Sequence, residues 1–182
     1  AENWYWKILK RNESVSIRGE WKPLGKESVI INTFPIKVTN HQNIDGQKDI
    51  IEETAIGNFY VKNGKIYILY KTADETGFSS NTIIAEEDTV TVKRSGATKS
   101  SMVFDRRKKT KSRYRMPYGT LDMEITTEKI VNALTEDGGQ LRLVYTIMTQ
   151  GQMIYNDMRI FVGWILWKDK RVKSEGIGIA DS

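Results

Sequence analysis

The chain has 182 residues, 39% hydrophobic and 28% charged, which suits one soluble domain with a core of its own and excludes a disordered chain. It has no cysteine, so disulfide frameworks and thiolate zinc sites are excluded, and no apolar run reaches the roughly 20 residues of a membrane helix. The formal net charge of +5 leaves acidic partners such as nucleic acid open without requiring one.

From the N-terminus, Trp4, Trp6 and Ile8 alternate onto one face of a first strand, and 13–19 and 28–33 offer further strand. No signal peptide is read there, and the expected location is the cytoplasm, in keeping with the missing cysteines. Clearer strands follow at 34–40, 49–62, 65–71, 79–86, 89–95, 98–106, 111–117, 119–127, 140–149 and 152–162. Their period is two: Leu121, Met123 and Ile125 alternate with Asp122 and Glu124, and Leu141, Leu143, Tyr145 and Ile147 share a face. Asn63-Gly64 is the sharpest hairpin signal, because both residues tolerate positive φ. Asp45-Gly46, Ser95-Gly96 and Asp137-Gly138-Gly139 mark other reversals, and Gly57 is expected to bend or bulge the long second strand. Thr127–Glu136 reads either as a short helix capped by Thr127 or as more of the preceding strand, and its all-β surroundings favour strand. All five tryptophans lie near the ends, at positions 4, 6, 21, 164 and 167, and are expected to bury against the barrel as terminal extensions over 1–33 and 163–182, in preference to forming an exposed aromatic binding platform.

Regular strands with hairpin-length links predict an all-β fold, a closed antiparallel barrel of 8–10 strands over 34–162, because closure removes exposed edges. The chain is read as one domain.

No residue pattern carries catalysis. His41 is the only histidine and stands beside Asn40 and Gln42 without a nucleophile elbow, so it reads as a solvent-facing side chain. Glu86-Glu87-Asp88 lacks calcium-loop spacing and reads as a solvated turn. Glu52 and Glu53 point to opposite faces of one strand and cannot act as a carboxylate pair. No phosphate-binding glycine loop is present, since Gly176-Ile177-Gly178 lacks both the third glycine and the strand–helix context. The protein is therefore expected not to be an enzyme and to need no cofactor or metal.

Two features could bind. The first is a basic run of Arg106, Arg107, Lys108, Lys109, Lys111, Arg113 and Arg115 on the hairpin between the sixth and seventh strands, flanked by Phe104, Tyr114 and Tyr118. Such a loop can grip phosphates while aromatic rings stack on bases, although a solvated tip that guards a sheet from edge association is the plainer reading. The second is the barrel interior, with Phe59, Tyr67, Met102, Met123, Tyr145 and Met153 as inward candidates for an adaptable apolar lining or an ordinary packed core.

Several segments in order carry a resemblance: Asp45-Gly46 followed by 50–53, Tyr60-Val61-Lys62 with 66–70, V-K-R-S-G at 92–96, Met102-Val103-Phe104, Y-R-M-P-Y-G at 114–119 and G-G-Q-L-R-L-V-Y at 138–145. Over 36–162 the chain resembles the YwiB-like family of uncharacterised bacterial proteins. The resemblance implies a calycin-like, lipocalin-related β-barrel and a cytosolic protein, and supplies no catalytic residues. Gly19-Glu20-Trp21 has the G-x-W form of lipocalins but precedes the matched region, and is read as coincidence. The leading expectation is a non-enzymatic barrel that takes a small apolar or amphipathic ligand. A nucleic-acid module acting through 106–115 is the second, and a homodimer built on the tryptophan-rich ends the third.

Overall fold

The computed structural model describes residues 32–74 and 77–163. Within them the chain forms ten strands and no helix: β1 (Asn32–Ile44), β2 (Gln47–Lys62), β3 (Lys65–Asp74), β4 (Gly77–Ala85), β5 (Thr89–Gly96), β6 (Ser100–Asp105), β7 (Thr110–Met116), β8 (Gly119–Thr135), β9 (Gly138–Thr149) and β10 (Gln152–Val162). All pairings are antiparallel, in the order β6-β5-β4-β3-β2-β1-β10-β9-β8-β7. The one non-sequential pairing joins β1 to β10, with Ile36 opposite Val162 and Ile44 opposite Ile154. This leaves β6 and β7, neighbours in the chain, as the two edges. They meet through one bridge, in which Lys99 and Arg115 exchange both backbone hydrogen bonds at 2.9 and 2.8 Å. The hydroxyls of Thr110 and Ser112 donate to the carbonyls of Val103 and Ser101 along the same seam. The result is a nearly closed antiparallel barrel.

Turn chemistry sets the registers. Asn63 and Gly64 have φ of 51° and 71°, the two left-handed residues of a tight hairpin, and Lys62 pairs with Lys65 across them. Gln150 and Gly151 make the same kind of turn between β9 and β10, with φ of 49° and 76°.

The segment 127–136 is strand: β8 runs through to Thr135. A bulge between Thr127 and Lys129 changes the parity, so that Thr127 faces inward before it and Ile130 and Leu134 after it. Gly57 is where β2 parts from β3. Residues 57–62 pair with β3, whereas the preceding stretch pairs with β1 alone. A Cβ there would stand 2.3 Å from the Leu69 carbonyl oxygen and 2.5 Å from Ile36 Cδ1, so close approach, and no bulge, demands the glycine.

Inward positions carry the core: Ile36, Phe59, Ile68, Ile83, Val90, Phe104, Ile125, Leu141, Leu143, Tyr145 and Ile160 are each at most 2% exposed. Phe104 on β6 meets Tyr145 on β9 edge to face, with centroids 4.6 Å apart, so rings from distant strands fill this part of the barrel. The predicted terminal extensions lie outside the described residues except for 32, 33 and 163, and all five tryptophans lie outside them.

Candidate functional site: a polar cluster inside the barrel

Along several strands the inward stripe changes from apolar to polar toward one end. On β3, Ile68 is followed by Tyr70 and Thr72; on β4, Asn81 precedes Ile83; on β5, Val90 and Val92 are followed by Arg94; on β1, Val38 is followed by Asn40 and Gln42. The ladders hold these positions side by side, because Tyr70 pairs with Asn81 and Asn81 with Arg94. Glu53 joins them from β2, in phase with Ala55, Gly57 and Phe59.

The side chains are linked. Arg94 donates to Glu53 at 3.0 Å through one terminal nitrogen and to Asn81 Oδ1 at 2.8 Å through Nε. Asn81 in turn donates to Thr72 at 3.0 Å. Burial works against the Arg94 cation, but the charge of Glu53 and its hydrogen bond outweigh this and hold the guanidinium above its ordinary value. Burial, with Glu53 as neighbour, pushes the Tyr70 phenol far up, so it stays a neutral donor at any physiological pH. The cluster thus brings a guanidinium and a carboxylate together on inward faces, each about three-quarters shielded from solvent.

A second group borders it on β1 and β10. Asn156, fully buried, accepts from Asn40 at 3.0 Å and from Gln42 at 2.9 Å, and donates to the Ile154 carbonyl at 3.0 Å. Asn40 Oδ1 and Thr127 Oγ1 are buried and have no hydrogen-bond partner among the described residues, their residues being only 7% and 8% exposed. A buried unpaired acceptor is costly, and native proteins satisfy nearly all of them.

Of the inward candidates read from the sequence, Phe59, Met123 and Tyr145 are in the core and Met102 packs against it. Tyr67 and Met153 are not inside. Tyr67 lies on the outer face of β3, opposite Tyr60 and stacked on it at 4.9 Å. Met153 is 56% exposed, on the face of β10 opposite to that of buried Asn156 and Ile160. Both come from strands with apolar residues on each face, Lys65–Asp74 and Gln152–Val162, where alternation alone cannot choose a side. The polar cluster itself escaped the sequence reading. Its trace is there nonetheless: Glu53, Asn81 and Arg94 each fall in phase with an apolar stripe.

His41 is exposed, Glu52 pairs with Lys37 on the outer face at 2.9 Å, and Glu53 points inward. The trio 86–88 is a turn between β4 and β5, with Glu86 bonded to Lys65. The basic hairpin is partly neutralised: Arg107 pairs with Asp105 at 3.0 Å and Asp88 at 3.8 Å, Lys109 with Glu124 at 2.9 Å and Arg113 with Asp122 at 2.8 Å. Hydrogen bonds from Arg107 hold the Asp105 carboxyl below its ordinary range. Arg106, Lys108, Lys111 and Arg115 make no ion pair among the described residues. No helix among these residues is long and apolar enough to cross a membrane.

Residues 36–160 match a family described as "Domain of unknown function (DUF1934)". The "Uncharacterized beta-barrel protein YwiB" of Bacillus subtilis (strain 168) is 32% identical over 101 residues, covering 56% of this chain and 71% of the relative. The crystal structure of the ywiB protein from Bacillus subtilis superposes with a TM-score of 0.67 at 27% identity, covering 73% of this chain and 92% of that one.

Proposed function

The chain belongs to the family of the Domain of unknown function (DUF1934), and from that premise we propose that it is a non-enzymatic, cytoplasmic binding protein whose barrel takes a small amphipathic molecule. The ligand's polar end would meet Glu53, Arg94, Asn81 and Tyr70, and its apolar part the hydrophobic lining. The observation that carries this reading is the linked polar cluster on inward faces, bordered by buried acceptors that no group among the described residues satisfies. A fold stabilised by packing alone gains little from an inward ion pair, because desolvation offsets its attraction. A site that orients a ligand needs such groups, few in number and fixed in place. Interior binding is also the mode of the calycin-like barrels that the sequence resembles. Affinity would come from apolar area at about 25 cal/mol per Å², less the cost of association.

The test is native mass spectrometry of protein purified from its own host. A reproducible added mass that disappears in Arg94→Met, with the barrel still folded by circular dichroism, is the expected result. A clean unliganded mass for the wild-type protein would overturn the proposal.

A further inference from the structure

The seam that closes the barrel carries an arrangement independent of the interior. Lys99 and Arg115 are directly opposite each other in a hydrogen-bonded pair, on the outer face and exposed. Like charges so placed repel, and a sheet evolved for stability alone avoids them. Lys93 on β5, opposite Ser101 of β6, and Lys111 on β7, in phase with Arg115, stand exposed on the same outer face. None of these four cations makes an ion pair among the described residues, although Lys111 faces Glu124 across the β7–β8 ladder, and the nearby acids Asp105, Asp122 and Glu124 are bonded by Arg107, Arg113 and Lys109.

Two aromatic side chains border the pair. Phe78, 79% exposed, is held against the β5–β6 turn by the bond from the Ala97 amide to its carbonyl at 3.1 Å, two residues from Lys99. Tyr118, also 79% exposed, lies in the β7–β8 turn, three residues from Arg115. Rings this exposed do nothing for the core, and a basic strip with two such rings at the end that holds the Lys99–Arg115 pair has the components of a single-strand binding surface.

We propose that the outer face around the Lys99–Arg115 bridge binds single-stranded nucleic acid, with Lys93, Lys99, Lys111 and Arg115 meeting successive phosphates and Phe78 and Tyr118 stacking on bases. The phosphates relieve the repulsion between Lys99 and Arg115. A duplex, whose bases are already stacked, offers the rings nothing and binds less well. The hairpin tip, despite holding most of the basic run, is secondary, since Arg107 and Lys109 are shared with acids of the same chain and, among the described residues, no exposed ring stands beside Arg106 or Lys108 there.

The experiment is fluorescence anisotropy of the full chain with a labelled single-stranded oligonucleotide of about 12 nucleotides, a matching duplex and vesicles rich in anionic lipid as comparators. Binding should weaken about 50-fold between 50 and 200 mM salt if the four cations each meet a phosphate. Lys99→Glu combined with Arg115→Glu should weaken it at least about tenfold, and Phe78→Ala with Tyr118→Ala about tenfold with the salt slope kept. Lys108→Glu with Lys109→Glu, at the tip, should change it less than about twofold. Lys99→Glu alone should raise the melting temperature, because an opposite-charge pair replaces a like-charge one, and yet weaken binding; no folding defect produces that combination. Absence of single-strand binding at 50 mM salt, equal affinity for the duplex, equal sensitivity of tip and seam variants, or attachment to vesicles in place of the oligonucleotide would each overturn the proposal.

Discussion

Phe59 shows how much rests on single side chains. It is 1% exposed, meets Phe34 edge to face at 5.5 Å, and sits where β2 pairs with both β1 and β3. Phe59→Ala should cost about 3–5 kcal/mol, read as a lower urea midpoint with unchanged slope. Gly57, two residues earlier, has the opposite problem. Gly57→Ala should destabilise by about 1–3 kcal/mol, because the added methyl meets the fixed Leu69 carbonyl and the Ile36 side chain at once. Alternation within strands of clear pattern made Phe59, Met123 and Tyr145 legible in the sequence. Tyr67 and Met153 were illegible for a physical reason: Tyr67 stands between Ile66 and Ile68, and Met153 beside Ile154, so apolar residues fall on both faces and the inner face is set by what the strand packs on. In β10 the deciding residue is Asn156, a polar group in the core, which inverts the usual cue. The cluster of Glu53, Asn81 and Arg94 was hidden by the same habit of reading polar as outward.

At the scale of elements, strands and turns were readable nearly end to end, because Asn63-Gly64, Asp45-Gly46 and Asp137-Gly138 punctuate them. The bulge at Thr127/Lys129 was not, since one extra residue leaves no local signature while turning the second half of β8 by one face. The closing seam could not be foreseen either. It depends on hydroxyls standing in for ladder hydrogen bonds, a substitution no periodicity reveals. Thr110→Val with Ser112→Ala should cost about 1 kcal/mol per bond lost. It should also speed amide exchange in β6 and β7 well before β1 or β10, as hydrogen-exchange mass spectrometry would record. Uniform acceleration across all strands would show instead that the seam is no weaker than the rest.

For the whole molecule, acid is the informative stress. Asp157 accepts two hydrogen bonds of 2.8 Å from Arg142, which hold its carboxyl below the ordinary range, and Lys109 does the same for Glu124. A carboxylate depressed in the folded state contributes stability that is complete above its unfolded value near 4 and is lost as pH falls through the folded value. The melting temperature should therefore be flat above about pH 5 and fall below about pH 4. In Asp157→Asn the neutral-pH melting temperature should be lower and the acid slope shallower, which a thermal series from pH 7 to pH 2 would check. The barrel class was legible in the sequence because alternation recurs in strand after strand. Which strands would be last to join was not, because nothing local distinguishes β1 and β10, which pair fully, from β6 and β7, which scarcely do. That asymmetry gives the cylinder a door. Its leaves are β6 and β7, its hinge the hairpin at 106–109, and its latch one pair of cations that push each other apart. Parting it would break the two backbone bonds and the two hydroxyl bonds from Thr110 and Ser112, and leave every other ladder intact.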